Sequence, residues 1–269
     1  MRKRTWIKAG SALIFAAAIT GLSWAPVKQG AVVTSVNANE VKIQSVDAPK
    51  IDKNALFENY SSDIYSEAGL MASGLDFEVF KKALTGYFNL KSEGKLSGKE
   101  IISIADFNQS SREKRLWIVD LGKKELLFNT YVAHGQGSGN DMAVSFSNEA
   151  NSHQSSLGFY VTSETYRGKH GLSLKLDGMD ENYNTNARKR AIVIHGAAYV
   201  SEDFINHHGR LGRSHGCPAV PKELTPAIID TIKGKTCLFI HAPEKISYAS
   251  DYLDQDTAAE TFAPALVKQ

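Results

Sequence analysis

The chain has 269 residues, of which 42% are hydrophobic and 22% are charged, with a formal net charge of +2. This length suits one main domain with additional segments better than two full domains. Without residues 1–25, the remaining 27 basic and 29 acidic residues nearly balance, which argues against an electrostatic nucleic-acid binder, so we expect no nucleic acid among its partners.

The N-terminus carries an export pattern. Four basic residues within the first eight positions precede a charge-free stretch over residues 9–27. Ser23-Trp24-Ala25 places small residues at the two positions that a signal peptidase reads, so we predict a secretory signal over residues 1–25. The alternative is an uncleaved anchor, a membrane tether through residues 9–25, because 19 uncharged residues are just long enough to span. Both alternatives place the rest of the chain outside the cytoplasm.

Two helices are predicted before the first strand. Residues 26–52 lack aromatic side chains and are rich in valine, serine, asparagine and lysine, which indicates an extended linker. Residues 53–98 form a helical preface, with one amphipathic helix near 54–68 and a second that opens at the capping pattern Ser73-x-x-Asp76. The apolar side chains of the second helix recur at helical spacing and predict core packing: Phe77, Phe80, Leu84 and Tyr87.

Strand patterns dominate the rest of the chain. A hairpin turn is predicted at Gly122-Lys123-Lys124, and residues 221–233 read as a helix that begins at Pro221 and ends before Gly234. Many strands with few helices predict a mostly β domain with helices (α+β), a sandwich or partial barrel over residues 99–243, followed by a C-terminal tail over 244–269. The predicted strands are 101–104, 115–120, 125–133, 157–162, 172–176, 191–195 and 236–241.

The chain has only two cysteines, Cys217 and Cys237. Two cysteines in an exported protein usually form a disulfide, which is the simplest interpretation. Their surroundings argue against it, because Cys217 lies in a glycine-rich turn two residues after His215, whereas Cys237 lies in an apolar run where cysteine acts as a small core residue. We therefore predict a reactive thiol at Cys217 and a core thiol at Cys237.

A histidine upstream of Cys217 suggests acyl-transfer chemistry. His195 ends an apolar run, and Cys217 follows 22 residues later across a glycine-rich loop. An imidazole can take the proton of a thiol, so that the thiolate attacks a carbonyl and the imidazolium then protonates the leaving amine. Gly216 permits a tight turn that would aim backbone N–H groups at the resulting oxyanion.

The competing interpretation is a metal site. The spacing of the candidate ligands matches neither H-E-x-x-H nor paired C-x-x-C motifs, so we predict no metal and no cofactor. His134 and His153 lie in polar stretches typical of solvated surface histidines, and His170 is either a turn residue or part of a site. The candidate zinc ligands are His195, His207, His208, His215, His241 and Cys217.

His195-Gly196 followed by Ser214-His215-Gly216-Cys217 resembles the active-site signature of the YkuD-type L,D-transpeptidases of bacterial cell walls. The flanking sequence is similar to one branch of these enzymes, the murein L,D-transpeptidase catalytic-domain family, over roughly residues 70–243. The segments that carry this likeness are 156–161, 168–171, 190–197 and 209–220.

The resemblance implies a YkuD-like fold and a role for each matching residue. Cys217 would be the nucleophile, and His195 would accept and donate the proton. The carbonyl of Gly196 would orient His195, His215 would shape the pocket around the thiolate, and the amides near Gly216 and Cys217 would form the oxyanion hole. Such enzymes attack peptidoglycan tetrapeptide stems after the third residue, release the terminal D-alanine and pass the acyl group to an amine on another stem.

The sequence departs from this family in two places. Pro218-Ala219-Val220 follows the cysteine, where many relatives place a polar or basic residue, and 18 residues separate His195 from Ser214, more than in many relatives. Recognition of the substrate carboxylate is therefore expected to fall to Arg210 or Arg213, with Ser214 and Gly196 also at the substrate.

The resemblance leaves the fate of the acyl group open. Water in place of an amine would make the protein an L,D-carboxypeptidase or endopeptidase. A wall-binding module with a degenerate site is a third alternative, which the intact cysteine and histidine oppose. In each case the partners would be peptidoglycan stem peptides, and the protein would work in the periplasm or cell envelope.

Overall fold

The structure is a computed structural model that describes residues 52–241, 243 and 245–266, with side chains as far as residue 262. The predicted signal or anchor and nearly all of the predicted linker lie outside the described residues. Within the described part, none of the helices is long and apolar enough to cross a membrane.

The described part of the chain combines helices with a larger number of strands. Its five α-helices are α1 (Lys53–Glu67), α2 (Phe77–Ser92), α3 (Glu202–His208), α4 (Thr225–Ile232) and α5 (Gln255–Leu266). Its eight strands are β1 (Ile101–Asp106), β2 (Leu116–Asp120), β3 (Glu125–Thr130), β4 (Gly158–Gly168), β5 (Gly171–Gly178), β6 (Val193–Ala197), β7 (Ala219–Pro221) and β8 (Cys237–His241).

The eight strands form one sheet in the order β3-β2-β1-β8-β4-β5-β6-β7. β1 pairs with β8, and β6 with β7, in parallel, whereas the other neighbours are antiparallel. The chain that follows β3 returns to the far edge, where Ala133 bridges Ala219 and Gly135 bridges Ser214. The sheet is therefore nearly closed, which confirms the α+β expectation and selects the partial barrel over the sandwich.

One face of the sheet is covered by α1, α2 and α5. Edge-to-face aromatic contacts join these helices, with the ring centroid of Phe57 5.8 Å from that of Phe88 and 5.9 Å from that of Phe262. Of the predicted core stripe of α2, Phe80, Leu84 and Tyr87 are buried, whereas Phe77 is half-buried and packs against the same core. Residues that we predicted to be a C-terminal tail thus include a helix, α5, that packs against α1 and α2.

Two helix starts differ from the predictions. Asp76 caps α2 itself, accepting from the backbone N–H groups of Glu78 and Val79, so Ser73 lies in the preceding turn and is not the cap. The helix predicted from Pro221 begins at Thr225, because Pro221 ends β7 and pairs with β6. Proline lacks a backbone N–H, and this edge strand tolerates it.

The opposite face of the sheet forms a second core with α4. Alternate residues of each strand enter the two cores, so that Ile102 and Ile104 of β1 face the helices while Ile101 and Ala105 face α4. Cys237 lies in the first core and Cys217 packs against the second. The two thiols are consequently on different sides of the sheet, and both are free. The structure therefore contradicts the disulfide alternative.

Candidate active site

The pairing of β6 with β7 brings the predicted nucleophile and base to neighbouring strands. His195 lies opposite Ala219 in this parallel register. Cys217 precedes Ala219 by two residues and so lies beside Val193, two residues before His195. The backbone N–H of Val193 donates to Sγ of Cys217 over 3.4 Å. His195 and Cys217 are 22 positions apart in the sequence, and the connection between their adjacent strands includes α3.

Ser214 holds the turn that carries Cys217. Its Oγ donates to the carbonyl of Cys217 over 2.6 Å and accepts the N–H of Gly216 over 3.0 Å. Its own N–H donates to the carbonyl of His134. Because the Ser214 hydroxyl is engaged on both sides and the side chain is buried, it suits positioning of the turn better than the substrate contact that the sequence predicted.

Gly216 is required by the geometry of the same turn. Its φ is +116°, a conformation that residues with a Cβ rarely adopt, and an added Cβ would lie 2.7 Å from the carbonyl oxygen of Gln154. Since the N–H of Gly216 is bonded to Ser214, this amide is not free to bind an oxyanion. Among the described residues the backbone N–H groups of His215 and Cys217 have no acceptor, which leaves them as the available donors.

The thiol of Cys217 is half-buried and protonated at rest. Burial raises its pKa above the ordinary value, while the Val193 N–H and the charge of Arg190 act in the opposite direction. Sγ lies 3.8 Å from the carbonyl oxygen of Ala191, which is oriented to accept the thiol proton. A base is therefore needed to generate the thiolate.

His195 is a neutral imidazole of defined tautomer. Its Nδ1 lies 3.1 Å from the carbonyl oxygen of Gly196, so that Nδ1 carries the proton and Nε2 is left as the acceptor. Burial lowers the pKa of His195, and the nearby charges of His170 and Lys169 lower it further. The contact with Gly196 is the one that the family resemblance implied.

His170, which the sequence left open, lies against His195. The hairpin between β4 and β5 carries His170 at its tip, and the centroids of the two rings are 4.5 Å apart. The only signal in the sequence was the pair of flanking glycines, Gly168 and Gly171, which end one strand and begin the next. Loop contacts of this kind have no sequence periodicity.

His215 is exposed and stacks on His153, with ring centroids 4.3 Å apart. Nε2 of Gln136 donates to Nδ1 of His153 over 2.9 Å. His153 had been predicted to be a solvated surface residue, and it is half-buried in this stack. The same prediction was wrong for His134, which is fully buried with its Nδ1 2.8 Å from a guanidinium nitrogen of Arg115.

Arg190 anchors the segment 147–156. From the sequence we predicted no role for this side chain at the site. Its Nη1 donates to the carbonyl of Ser147 over 2.6 Å and to Oγ of Ser156. Its Nη2 donates to the carbonyl of Gln154 over 2.6 Å and to Oγ of Ser152 over 3.3 Å. All four acceptors are neutral oxygens, so the guanidinium charge is not cancelled by its own ligands.

The same guanidinium supports the nucleophile turn. A Cβ on Gly216 would lie 3.2 Å from Nη2 of Arg190, which shows how closely the turn packs on this side chain. The positive charge of Arg190 acts to lower the pKa of Cys217. Arg190 is thus a positioning residue that also favours the thiolate.

The two arginines predicted to bind substrate are both half-buried. Nη1 of Arg213 donates to the carbonyl of Gly139 over 2.9 Å, and Nη1 of Arg210 donates to the carbonyl of Leu211 over 2.7 Å. Each guanidinium has further donors, so a role in carboxylate recognition stays a prediction. Among the described residues, no three histidine, cysteine, aspartate or glutamate side chains are grouped as metal ligands.

The sequence model of the L,D-transpeptidase catalytic domain family (YkuD_2) matches residues 71–241, more than half of the chain. The chain therefore belongs to this family, which confirms the predicted resemblance. Cys217, His195 and the turn at Ser214 all lie within the matched segment. A search of curated proteins finds no significant relative.

Solved structures of L,D-transpeptidases and of a cell shape determining protein are similar to this chain at low sequence identity. One from Mycobacterium smegmatis is 12% identical, with a TM-score of 0.35, over 54% of this chain and 60% of that one. The cell shape determining protein Pgp2 (K307A mutant) from Campylobacter jejuni is 14% identical, with a TM-score of 0.39, over 69% and 64%. An L,D-transpeptidase from Stackebrandtia nassauensis is 13% identical, with a TM-score of 0.33, over 69% and 92%. The match spans about 60% of the length of the first of these relatives.

Proposed function

We propose that the protein is a cysteine-dependent L,D-transpeptidase that acts on peptidoglycan tetrapeptide stems, releases D-alanine and forms 3→3 cross-links. The observation that carries the proposal is the placement of Cys217 beside the strand of His195, on a turn held by Ser214. The family membership of residues 71–241 supplies the substrate class.

Acylation begins with the thiol of Cys217 and the imidazole of His195 both uncharged. Nε2 of His195 takes the thiol proton as Sγ of Cys217 attacks the carbonyl carbon of the third stem residue. The N–H of Cys217 donates to the oxyanion that forms. The C–N bond then breaks, and the imidazolium returns its proton to the amine of the departing D-alanine, which leaves a thioester on Cys217.

Proton transfer inside a half-buried site separates charge, so the thiolate needs stabilisation. The Val193 N–H and the guanidinium of Arg190 both favour the charged form of Cys217, as their effect on its pKa indicates. In the second half-reaction an amine attacks the thioester, His195 takes the amine proton, and the proton passes to the departing sulfur. No step in this sequence needs a cofactor.

The proposal includes the place of action. An L,D-transpeptidase must reach peptidoglycan, and the predicted signal over residues 1–25, or a tether through residues 9–25, would deliver the chain to the periplasm or cell envelope. Stem peptides are the proposed partners there.

The test is incubation with purified disaccharide-tetrapeptide followed by mass spectrometry. We expect loss of the terminal D-alanine, with a 3→3 cross-linked dimer as the main product. A tripeptide in place of the dimer would identify a carboxypeptidase that uses the same acyl-enzyme. Conversion of pentapeptide to tetrapeptide, with tetrapeptide untouched, would refute the proposal.

A further inference from the structure

A pocket of about 390 Å³ lies beside His195, on the side of the β4–β5 hairpin tip. Its polar lining comes from Lys169 and His170 at the hairpin tip and from Lys222 just after β7. The other lining residues are Gly171, Gly196, Ala197, Ala198 and Tyr199. Neither His195 nor Cys217 lines the pocket, which reaches the proposed base through the adjacent Gly196 and through His170, whose ring packs on His195.

The lining indicates the kind of ligand. Lys169 and Lys222 carry ammonium groups, and within the described residues neither forms an ion pair, whereas other lysines such as Lys175 and Lys233 do. Glycine, alanine and tyrosine form the remainder of the wall. Cationic groups above a small apolar wall fit a short aliphatic molecule with a carboxylate, and the volume is in the range of small-molecule sites.

The position indicates which participant of the reaction binds. The incoming amine must deliver its proton to Nε2 of His195, so it must approach from a side on which this imidazole can be reached. Free ammonium groups nearby favour a neutral amine over a second ammonium, because like charges repel. A carboxylate on the same molecule would hold it there.

We propose that this pocket is the acceptor site of the transpeptidation reaction and binds an amine that carries a free carboxylate, held by Lys169 and Lys222. The inference rests on the proposed function. In the step, the amine nitrogen bonds to the thioester carbonyl carbon and the C–S bond breaks. His195 takes the proton that the nitrogen loses and gives it to the departing sulfur of Cys217, so that the free thiol is restored.

The test compares two acceptors that differ only in the carboxylate. Tetrapeptide donor is supplied with equal concentrations of D-methionine and D-methioninamide, and mass spectrometry measures the two transfer products. The double variant Lys169→Gln/Lys222→Gln is compared with Lys123→Gln, which removes an exposed lysine from the β2–β3 hairpin. Both products form from the same acyl-enzyme, so their ratio does not depend on the acylation rate of a variant. The intrinsic reactivity of the two amines is the same for every variant, so it does not affect the change in ratio from one variant to another.

We expect the double variant to lower the D-methionine to D-methioninamide product ratio by about tenfold, the usual scale for loss of a charge-assisted contact. Lys123→Gln should keep the ratio of the unmodified protein. An unchanged ratio in the double variant would overturn the acceptor site while leaving the transpeptidase proposal intact.

A binding measurement separates the two proposals. The histidine resonances of the unmodified protein are titrated with D-methionine and with D-methioninamide, which needs no turnover. Tighter binding of D-methionine that the double variant loses would support the anion pocket, even if D-alanine release from tetrapeptide were absent and the proposed function had failed. Equal binding of both compounds would overturn the pocket whether or not the enzyme turns over.

Discussion

The backbone N–H of Val193 lies 3.4 Å from Sγ of Cys217, and it belongs to the strand that carries His195 two residues later. A donor aimed at sulfur favours the thiolate. The strand of the proposed base therefore both supports the proposed nucleophile and favours its charged form. Because the donor is a backbone N–H, any residue other than proline at position 193 can supply it.

The two cysteines should differ in function. Cys217→Ala should abolish D-alanine release, whereas Cys237→Ala should retain most of it, because Cys237 is fully buried in β8. The second variant should lose about 1 kcal/mol of unfolding free energy through lost packing. Turnover assays and urea titrations measure the two effects. An inactive but folded Cys237→Ala, or a disulfide in the active form, would contradict the assignment.

His195 should be the principal base. His195→Gln should slow acylation by a carbapenem about a hundredfold or more, the usual scale for general-base catalysis. His215→Gln is the matched variant, since His215 is exposed and stacks on His153. Stopped-flow fluorescence measures both rates. Near-normal acylation of His195→Gln together with an inactive His215→Gln would reverse the two roles.

Arg190 should act on the ionisation of the thiol. Its positive charge lowers the pKa of Cys217, so Arg190→Gln should raise that pKa and shift the pH profile of iodoacetamide alkylation to higher pH. A shift of about one unit would reduce alkylation at neutral pH about tenfold. Arg188→Gln is the control, because Arg188 is paired with Glu164 and Asp177 at the surface. Identical pH profiles for the two variants would argue against this role.

Gly216 should be irreplaceable in the nucleophile turn. Gly216→Ala places a Cβ 2.7 Å from the carbonyl oxygen of Gln154 at a φ of +116°, so the turn must shift and acylation should fall by at least tenfold. Gly209→Ala is the matched control, because it has a φ of +71° and open space around its Cβ. That variant should lose about 1 kcal/mol of stability and keep its acylation rate.

The protein should lose stability in mild acid through His134. Burial beside Arg115 lowers the pKa of His134 from 6.5 to about 4. The folded state therefore favours the neutral ring, so its contribution is complete above pH 6.5 and is lost as the pH falls toward 4. The loss should reach about 3 kcal/mol of unfolding free energy. Urea titrations at pH 7 and pH 4.5 would measure it.

The control for this pH dependence is a pair of histidine variants. His134→Gln should flatten the decline between the two pH values, whereas His208→Gln, on the exposed surface of α3, should not. His241, whose pKa burial also lowers to about 4, should supply the decline that persists in His134→Gln. A decline of equal size in the two variants would show that folding does not lower the pKa of His134, and it would contradict this prediction.

Local patterns were enough to predict much of the fold and the candidate site. The stripe of α2 follows the helical period, and the hairpin between β2 and β3 follows turn chemistry, since both depend on residues within a few positions of each other. The different surroundings of Cys217 and Cys237 could be predicted for the same reason, because a glycine turn and an apolar strand are local features. Three-residue β7 was missed, since it is too short to show a period.

Other features were decided only by the tertiary structure. The pairing of β1 with β8 joins segments more than 130 residues apart, and the contacts of Arg190 reach back to residues 147–156. The burial of His134 and the stacking of His153 on His215 likewise depend on loops brought together by the closing sheet. Sequence patterns report the neighbours of a residue along its own helix or strand. Contacts between distant segments depend on which strands pair and on how the loops between them fold back, and no local periodicity encodes either.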